Sequence, residues 1–162
     1  MEAQIGAPMA AMRAHEALFG YWAGLRKAGR LPGRRDLDPA AIKRLLPTVS
    51  LTEPTPDGRD FRIRLAGTGL YDVYGREITG RRLSDIYSPV AAETWRAELA
   101  RVAAEGRPAA GAHSLAWRGA SHLSLLWLRL PLASDGAEVD MILGYDAVVG
   151  LSHPQATGIR AA

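Results

Sequence analysis

Residues 122–130, HLSLLWLRL, are apolar at odd and at even positions alike. Neighbouring side chains of a β-strand point to opposite faces of the sheet, so a strand with one face in water shows alternating apolar and polar residues. Because this segment shows no such alternation, we predict that it is a central strand with a packed layer on each side. Any fold of this chain must supply both layers.

Four further segments are predicted as strands of the same sheet. Residues 48–52 and the alternating run at 61–65 flank a Pro/Gly turn and form a hairpin. The other two strands are predicted at residues 109–117 and 138–146. In the last one, an apolar set that we expect to point inward alternates with acidic residues: Val139, Met141, Leu143 and Tyr145 against Glu138, Asp140 and Asp146.

Residues 1–47 are predicted as a helical leader ahead of this sheet. Residues 9–28 have the pattern of an amphipathic helix that ends near Gly29. Its apolar stripe consists of Met12, His15, Phe19 and Trp22. After a Pro/Gly joint, Asp38 and Pro39 provide the N-cap and first turn of a short second helix that Pro47 ends.

Residues 48–148 form the predicted main body, in which a helical middle separates the hairpin from the last three strands. The glycine-bounded stretch at 67–83 is too short for a long helix and predicts helical turns. A longer helix begins after Ser88 and stops at Gly106. Its predicted inward residues are Val90, Trp95, Leu99 and Val102. Residues 149–162 are expected to be a flexible tail.

Several short sequence segments support the same assignment as this order of elements. They are LFGYWAGLRKAGRL at residues 18–31, the LLP that precedes the first strand, and FRIRLAGTGLYDVYGREITGRRLSDI at residues 61–86. Over residues 15–148 the chain resembles a bacterial family of single-domain PAS-like proteins, formerly a domain of unknown function. The resemblance implies an α+β PAS fold: a five-stranded antiparallel sheet with short helices on one face, here with an N-terminal helical leader. It also implies sensing of a small molecule, carriage of a cofactor or protein contacts, with no common reaction.

Composition removes several classes of function. The chain has no cysteine, which excludes disulfides, thiol catalysis and the flavin–cysteinyl adduct of photosensory PAS domains. Residues 1–48 hold eight basic and four acidic residues, whereas residues 49–162 hold twelve and thirteen, so the body offers no basic face for nucleic acid. No run reaches the roughly 18 apolar residues of a membrane span. Residues 1–11 lack the pattern of a secretory signal, so we expect a cytoplasmic protein.

A ligand cavity in such a fold lies between the sheet and the short helices. The predicted lining residues are Tyr71, Tyr74, Trp95 and Leu99 from the helices, and Leu125, Trp127, Met141 and Leu143 from the strands. Arg64 is a candidate anchor for an anionic ligand, although its alternation with Phe61 and Ile63 favours the other face. We expect a small hydrophobic or anionic ligand. The alternative is that these aromatic residues only fill the core.

The apolar stripe of the leader helix packs either on its own sheet or against the same helix of a second subunit. The predicted interface of a homodimer consists of Leu18, Phe19, Trp22 and Leu25. We expect a stand-alone sensor that acts in trans on a signalling partner. Occupancy of the cavity would bias how the leader helix packs.

Catalytic and metal-binding motifs do not emerge from the sequence. Ser84, Ser114 and Ser121 lie outside any GxSxG elbow, and the four histidines lack metal-ligand spacing. The pair Gly67 and Gly69 lacks the third glycine of a dinucleotide loop. We therefore predict no catalysis and no metal site, while haem or non-covalently bound flavin stays open.

Two other functions remain as alternatives. One is a small cone-shaped α+β enzyme or lipid carrier, whose fold would lead with helices and end on a long curved sheet. The other is a ligand-free adaptor whose cavity is filled by its own side chains.

Overall fold

A computed structural model describes residues 8–116 and 119–150 of the chain. Helix α1 (Pro8–Leu25) comes first, followed by three 3₁₀ turns at Arg34–Asp36, Pro39–Ile42 and Leu46–Thr48. Strands β1 (Val49–Pro54) and β2 (Phe61–Ala66) form a hairpin. The helical middle consists of α2 (Leu70–Tyr74), α3 (Leu83–Ile86) and α4 (Pro89–Glu105). The last strands are β3 (Ala109–Leu115), β4 (Ala120–Leu132) and β5 (Met141–Gly150).

The five strands form one antiparallel sheet in the order β2-β1-β5-β4-β3. This confirms the predicted α+β fold class. The central strand is β5, and β4, which we predicted to be central, is the internal strand beside it. Strand β5 begins at Met141 rather than at residue 138. The predicted tail beyond Gly150 lies outside the described residues.

Each face of the sheet carries its own hydrophobic core. On the face toward α2, α3 and α4, the strands contribute Leu125, Trp127, Ile142 and Val148. On the face toward the leader they contribute Leu128, Leu130, Leu143 and Tyr145. The apolar residues of β4 are therefore divided between two layers, as the double-sided pattern of residues 122–130 predicted. Each large apolar side chain buried in this way stabilises the fold by about 1.5–3 kcal/mol.

Helix α1 lies on β4 and β5, but its buried stripe differs from the predicted one. Ala11, Leu18 and Trp22 are buried, whereas Met12 is 57% and Phe19 is 44% exposed. The small side chain of Ala11 lets the helix approach the sheet closely, which a methionine or phenylalanine on the contact line would prevent. The helix is therefore rotated relative to our expectation. It also ends at Leu25, ahead of Gly29.

Trp22 anchors the leader to the sheet. Its indole Nε1 donates a buried hydrogen bond of 2.9 Å to the carbonyl oxygen of Pro131, close to the end of β4. Two backbone hydrogen bonds of 2.9 Å join the segment after α1 to the loop after β4. The Leu31 N–H donates to the Gly136 carbonyl, and the Ala133 N–H donates to the Pro32 carbonyl. Of the four residues predicted as a homodimer interface, Leu18 and Trp22 thus pack on the chain's own sheet, while Phe19 is exposed and Leu25 is partly buried.

A β-bulge reorients the end of β2. Leu51 pairs with Leu65 and Thr52 pairs with Ile63, which leaves Arg64 as the extra residue. Simple alternation would place Leu65 on the same face as Phe61 and Ile63. The bulge moves Leu65 to the leader face, where it is 42% exposed.

Helix α4 has the predicted caps. The Ser88 hydroxyl accepts a hydrogen bond from the Ala91 N–H, and Gly106 ends the helix in the left-handed conformation with φ of 62°. Trp95, Leu99 and Val102 are buried as predicted, but Val90 in the first turn is 80% exposed and Ala92 takes the inward position. Within the described residues, no helix is long and apolar enough to cross a membrane.

Replacing Trp22 by alanine should destabilise the protein by about 3–5 kcal/mol, because a large cavity opens between α1 and the sheet. Trp22→Phe should cost less, since it keeps most of the ring and loses only the bond to Pro131. Phe19→Ala is the matched control and should change the free energy of unfolding by about 1 kcal/mol or less. Urea unfolding measures all three. Equal losses for Trp22→Ala and Phe19→Ala would contradict the packing described here.

The stability of the fold should decline on mild acidification because of His15. This ring packs edge-on against Tyr145 at 5.5 Å. Burial lowers the pKa of His15 below its ordinary 6.5, although the Leu126 carbonyl and Asp146 act in the opposite direction. The unfolded chain therefore takes up its proton first as the pH falls, so stability is present above pH 6.5 and is lost toward the folded-state pKa.

The measurement is the urea midpoint between about pH 7 and about pH 5.5. His15→Gln should flatten the dependence, and His122→Gln, at an exposed position, should leave it as in the wild type. A His15→Gln variant with the wild-type slope would assign the acid sensitivity to other groups.

Candidate functional site

A buried ion pair lies at the centre of the helix-facing core. Arg129 of β4 and Asp146 of β5 are 6% and 1% exposed, and Arg129 Nη1 lies 2.8 Å from Asp146 Oδ1. Gly144 is directly opposite Arg129 in the strand pairing, and a Cβ on Gly144 would lie only 3.2 Å from Arg129 Nη1. The missing side chain of Gly144 thus leaves the space in which the guanidinium lies.

The guanidinium of Arg129 is held on several sides. Nη1 also donates to the carbonyl oxygens of Leu128 at 2.9 Å and Tyr145 at 3.4 Å. The guanidinium carbon lies 4.9 Å from the ring centre of Trp95 and 5.8 Å from that of Trp127, both within cation–π range. Burial acts to lower the pKa of Arg129, but the charge of Asp146 and its hydrogen bond outweigh burial, and the pKa is raised. Arg129 is therefore charged at any physiological pH.

Two tyrosines extend this network to the helical layer. The Tyr74 hydroxyl of α2 donates to Asp146 Oδ2 at 3.0 Å, and the Tyr87 hydroxyl, just before α4, donates to the Tyr74 hydroxyl at 3.1 Å. Burial raises the pKa of both phenols, so both remain protonated donors. The chain of groups from Tyr87 to Arg129 thus connects α2 and the start of α4 with β5 and β4.

An aromatic wall stands beside the ion pair. The ring centres of Trp95 and Trp127, and those of Trp95 and His113, are 5.1 Å apart. His113 and Trp127 stack at 5.6 Å with an angle of 18°. Trp127 lies against Gly111 of β3, where a Cβ would come within 2.6 Å of its ring. The buried Nε1 of Trp127 has no hydrogen-bond acceptor among the described residues.

This wall borders an open pocket of about 440 Å³ between the start of α4 and β3. Its volume lies in the range of small-molecule sites. The rings of Tyr87, Trp95 and His113 form its sides. The remaining lining residues are small, namely Ser88, Ala91, Thr94 and Ser114. Ser88 and Ser114 accept hydrogen bonds from backbone N–H groups, so their own hydroxyl protons can point to a bound molecule.

Of the nine predicted cavity residues, Trp95 lines the pocket, and five, Trp95 included, pack together in the interior. They are buried members of the helix-facing core: Tyr74, Trp95, Leu99, Leu125 and Trp127. Tyr71 is 55% exposed, because α2 turns its opposite side to the core. Arg64 is exposed at the bulge of β2, so the prediction that it lines this cavity is wrong.

The prediction that Met141 and Leu143 line the cavity under the helices is wrong. They pack in the leader-facing core, and their neighbours on β5, Ile142 and Asp146, face the helices. The error follows from the assumption that an acidic residue in an alternating strand points to water. Asp146 is buried instead because Arg129 neutralises it.

Sequence reasoning missed Arg129, Asp146 and Tyr87 as site residues. The sequence does contain a signal for Arg129. This residue lies between Leu128 and Leu130 in a strand predicted to be packed on both faces, so its charge must be buried. A buried charge requires a partner of the opposite sign on a neighbouring strand. Asp146 follows Tyr145 in a strand that is otherwise apolar from residue 141 to residue 149, apart from its glycine.

Removal of one charge of the buried ion pair should destabilise the protein far more than removal of one charge of an exposed pair. Asp146→Asn leaves the charge of Arg129 buried without a counter-ion, which should cost about 3–5 kcal/mol in urea unfolding. The double variant Arg129→Met with Asp146→Leu removes both charges and should recover most of that loss. Glu105→Gln is the control, since Glu105 pairs with Arg101 on the surface, and should change stability by about 0.5 kcal/mol or less. A small loss for Asp146→Asn alone would contradict the tight pairing.

Within the described residues, no group of three or more histidine, aspartate or glutamate side chains is arranged to hold a metal ion. The predicted absence of a metal site remains a prediction for the chain as a whole.

Comparison with known proteins gives one family. A family model described as a PAS domain matches residues 10–146. The PAS domain from Bordetella pertussis BvgS is 15% identical, with 90% of this chain and 93% of that one covered and a TM-score of 0.51. A fungal LOV domain photoreceptor is 18% identical, with 82% and 88% covered and a TM-score of 0.49. The comparison with curated proteins finds no match. At 15% identity, the likeness to the Bordetella pertussis structure shows a shared fold.

Proposed function

Because the chain belongs to the PAS domain family, we propose that it is a sensory domain that binds a small planar molecule in the pocket beside Trp95 and His113. The observation that carries the proposal is the continuity between this pocket and the buried network. Tyr87 and Trp95 line the pocket, and the same two side chains contact Tyr74 and Arg129. A ligand that stacks on these rings would act directly on the ion pair.

The chemistry of the pocket favours an aromatic ligand that carries a hydrogen-bond acceptor. Three rings offer flat apolar surfaces, and Ser88 and Ser114 offer hydroxyl donors. An aromatic carboxylate combines both features. This agrees with the expectation of a hydrophobic or anionic ligand, although the anchoring residues differ from Arg64.

The proposed signal passes through the sheet to the leader. On β4 and β5, Arg129 and Asp146 face the helices, while Leu128 and Tyr145 contact the leader side. A shift of either strand on ligand binding would change the surface on which Leu18 and Trp22 pack. We propose that the leader then alters its contact with a second subunit or a signalling partner in the cytoplasm. The outer stripe of Met9, Met12 and Phe19 is exposed and available for that contact.

Flavin and haem do not fit the interior as it stands. The side chains of Trp95, Trp127 and Arg129 are in mutual contact at the centre of the core, and a tricyclic or larger ring system would have to displace them. The proposal therefore concerns a smaller molecule at the pocket, and catalysis is no part of it.

Binding of aromatic carboxylates should depend on the open volume beside Ala91. The probes are benzoate and naphthalene-2-carboxylate, observed by saturation-transfer NMR. Ala91→Trp fills the pocket and should weaken the binding of the better probe at least about tenfold, or about 1.4 kcal/mol. Ala104→Trp adds the same side chain at an exposed position elsewhere on α4 and should bind as the wild type does. Thermal unfolding checks that both variants are folded.

Native and denaturing mass spectra of the freshly purified protein complete the test. A small molecule that is present in the native spectrum, absent after denaturation and lost in Ala91→Trp would support the sensor. Binding that is the same in Ala91→Trp and Ala104→Trp would overturn it.

A ligand-free adaptor is the second candidate, and the filled interior favours it. In that case Trp95, Trp127 and Arg129 only stabilise the fold, and the leader surface carries the function. Absence of any adduct, together with no binding of either probe, would support the adaptor.

A further inference from the structure

A second concave site lies on the opposite face of the sheet. Helix α1 packs on β4 and β5, whereas residues 34–47 of the leader lie beside the β1 and β2 half of this face. Between that segment and the strands runs an open groove of about 600 Å³. Among the described residues, the groove and the pocket beside Trp95 have no lining residue in common. The sensory role proposed above does not account for this groove.

The floor of the groove is apolar, and Leu65 is its water-exposed part, since the other three floor residues are buried. It consists of Val49 and Leu51 of β1, Leu65 of β2 and Leu143 of β5. Leu65 is 42% exposed, and it reaches this face only because the bulge at Arg64 shifts the alternation of β2. Bulges are common at sheet edges and beside binding sites, where they re-aim a side chain, and this one places an exposed leucine in a concave surface.

The wall of the groove is fixed at both ends. At one end the backbone of Gly67 lies against the leader, because a Cβ added to Gly67 would be 2.1 Å from the Leu46 carbonyl oxygen. At the same end the Gly69 N–H donates a hydrogen bond of 2.8 Å to the Pro47 carbonyl. At the other end the Pro32 carbonyl accepts a 2.9 Å hydrogen bond from the Ala133 N–H. The groove is therefore formed before any ligand binds, which reduces the entropic cost of binding.

The charge at the groove is positive. Arg34 and Lys43 line it, and neither has an acidic partner within 4.0 Å in the described part of the chain. The acidic residues of the same segment are engaged elsewhere, since Asp36 accepts a hydrogen bond from the Gly33 N–H and Asp38 accepts one from the Ala40 N–H. An apolar floor beside two unpaired cations suits an amphiphile with an anionic head.

We propose that this groove binds the free carboxylate of a medium-length acyl chain. In this proposal the acyl chain of the ligand lies on Leu51, Leu65 and Leu143, and its carboxylate lies beside Arg34 and Lys43. This ligand differs from the aromatic ligand of the other pocket in shape, because a flexible chain follows an open groove and a flat ring stacks between aromatic side chains.

Sodium dodecanoate, kept below its critical micelle concentration and titrated into the full chain by calorimetry, tests the proposal. We expect saturable binding of one molecule per chain. Dodecyltrimethylammonium has the same chain and the opposite charge, and it should bind at least about tenfold more weakly, equivalent to about 1.4 kcal/mol.

Two pairs of variants locate the site. Lys43→Glu should weaken dodecanoate binding about tenfold, and Lys27→Glu, which changes the only other lysine of the chain, should not. Leu65→Glu should abolish binding, and Val90→Glu, the same change at an exposed position on α4, should leave it unchanged. All four positions are exposed, so the fold should persist. Ala91→Trp should also retain dodecanoate binding, which separates this proposal from the sensory one.

Three results would overturn the proposal. The first is no saturable binding to the wild type, and the second is equal binding by Leu65→Glu and Val90→Glu. The third is a wild-type protein that is dimeric, does not bind dodecanoate and becomes monomeric when Leu65 is replaced by glutamate. That result would assign the groove to a second copy of the protein.

Discussion

The buried pairing of Arg129 with Asp146 is the constraint on which the helix-facing half of the molecule depends. Neither charge is tolerable in that core without the other. The pair fixes the relative position of β4 and β5, requires a glycine opposite the guanidinium at Gly144, and sets the positions of two indole rings and two phenols around it. Replacement of such a pair by apolar residues is often neutral or stabilising. Its presence here is therefore better explained by the single arrangement of β4 and β5 that it specifies than by a gain in stability.

The same two strands must serve two different layers, and this explains the double-sided apolar pattern of residues 122–130. Odd residues of β4 from Leu125 to Arg129 face the helices, and the even residues Leu128 and Leu130 face the leader. The leader is thus a structural layer of the domain rather than an appendage. Trp22 makes this explicit, because its ring is buried in the leader-facing core and its N–H bonds to the backbone beside β4.

The sequence predicted the order of elements and the helix caps at Ser88 and Gly106, because these depend on local periodicity and on residues with strong conformational preferences. The antiparallel five-stranded sheet was predicted from the family resemblance, since strand pairing does not follow from local periodicity. It predicted less well which face each residue occupies. The bulge at Arg64 reversed Leu65, and the helix rotation exposed Phe19. Asp146 was assigned to the surface because a single strand does not reveal its partner across the sheet. The pairing of these charges depends on the register of β4 and β5. Because Trp127 is opposite Asp146, Arg129 lies two residues further along β4, diagonally across from the carboxylate.

The groove and the buried ion pair are separated by the thickness of one strand, and the pocket contacts the same ion pair through Trp95. Leu143 is part of the groove floor on one face of β5, and the next residue, Gly144, lies under the guanidinium of Arg129 on the other face. A ligand on either side that shifts β5 would therefore change the environment of the other site. Any such coupling must be reciprocal, since linkage requires each ligand to alter the affinity of the other by the same factor. The buried ion pair is the element best suited to resist or to transmit that shift, because its geometry permits little displacement before a desolvated charge loses its partner.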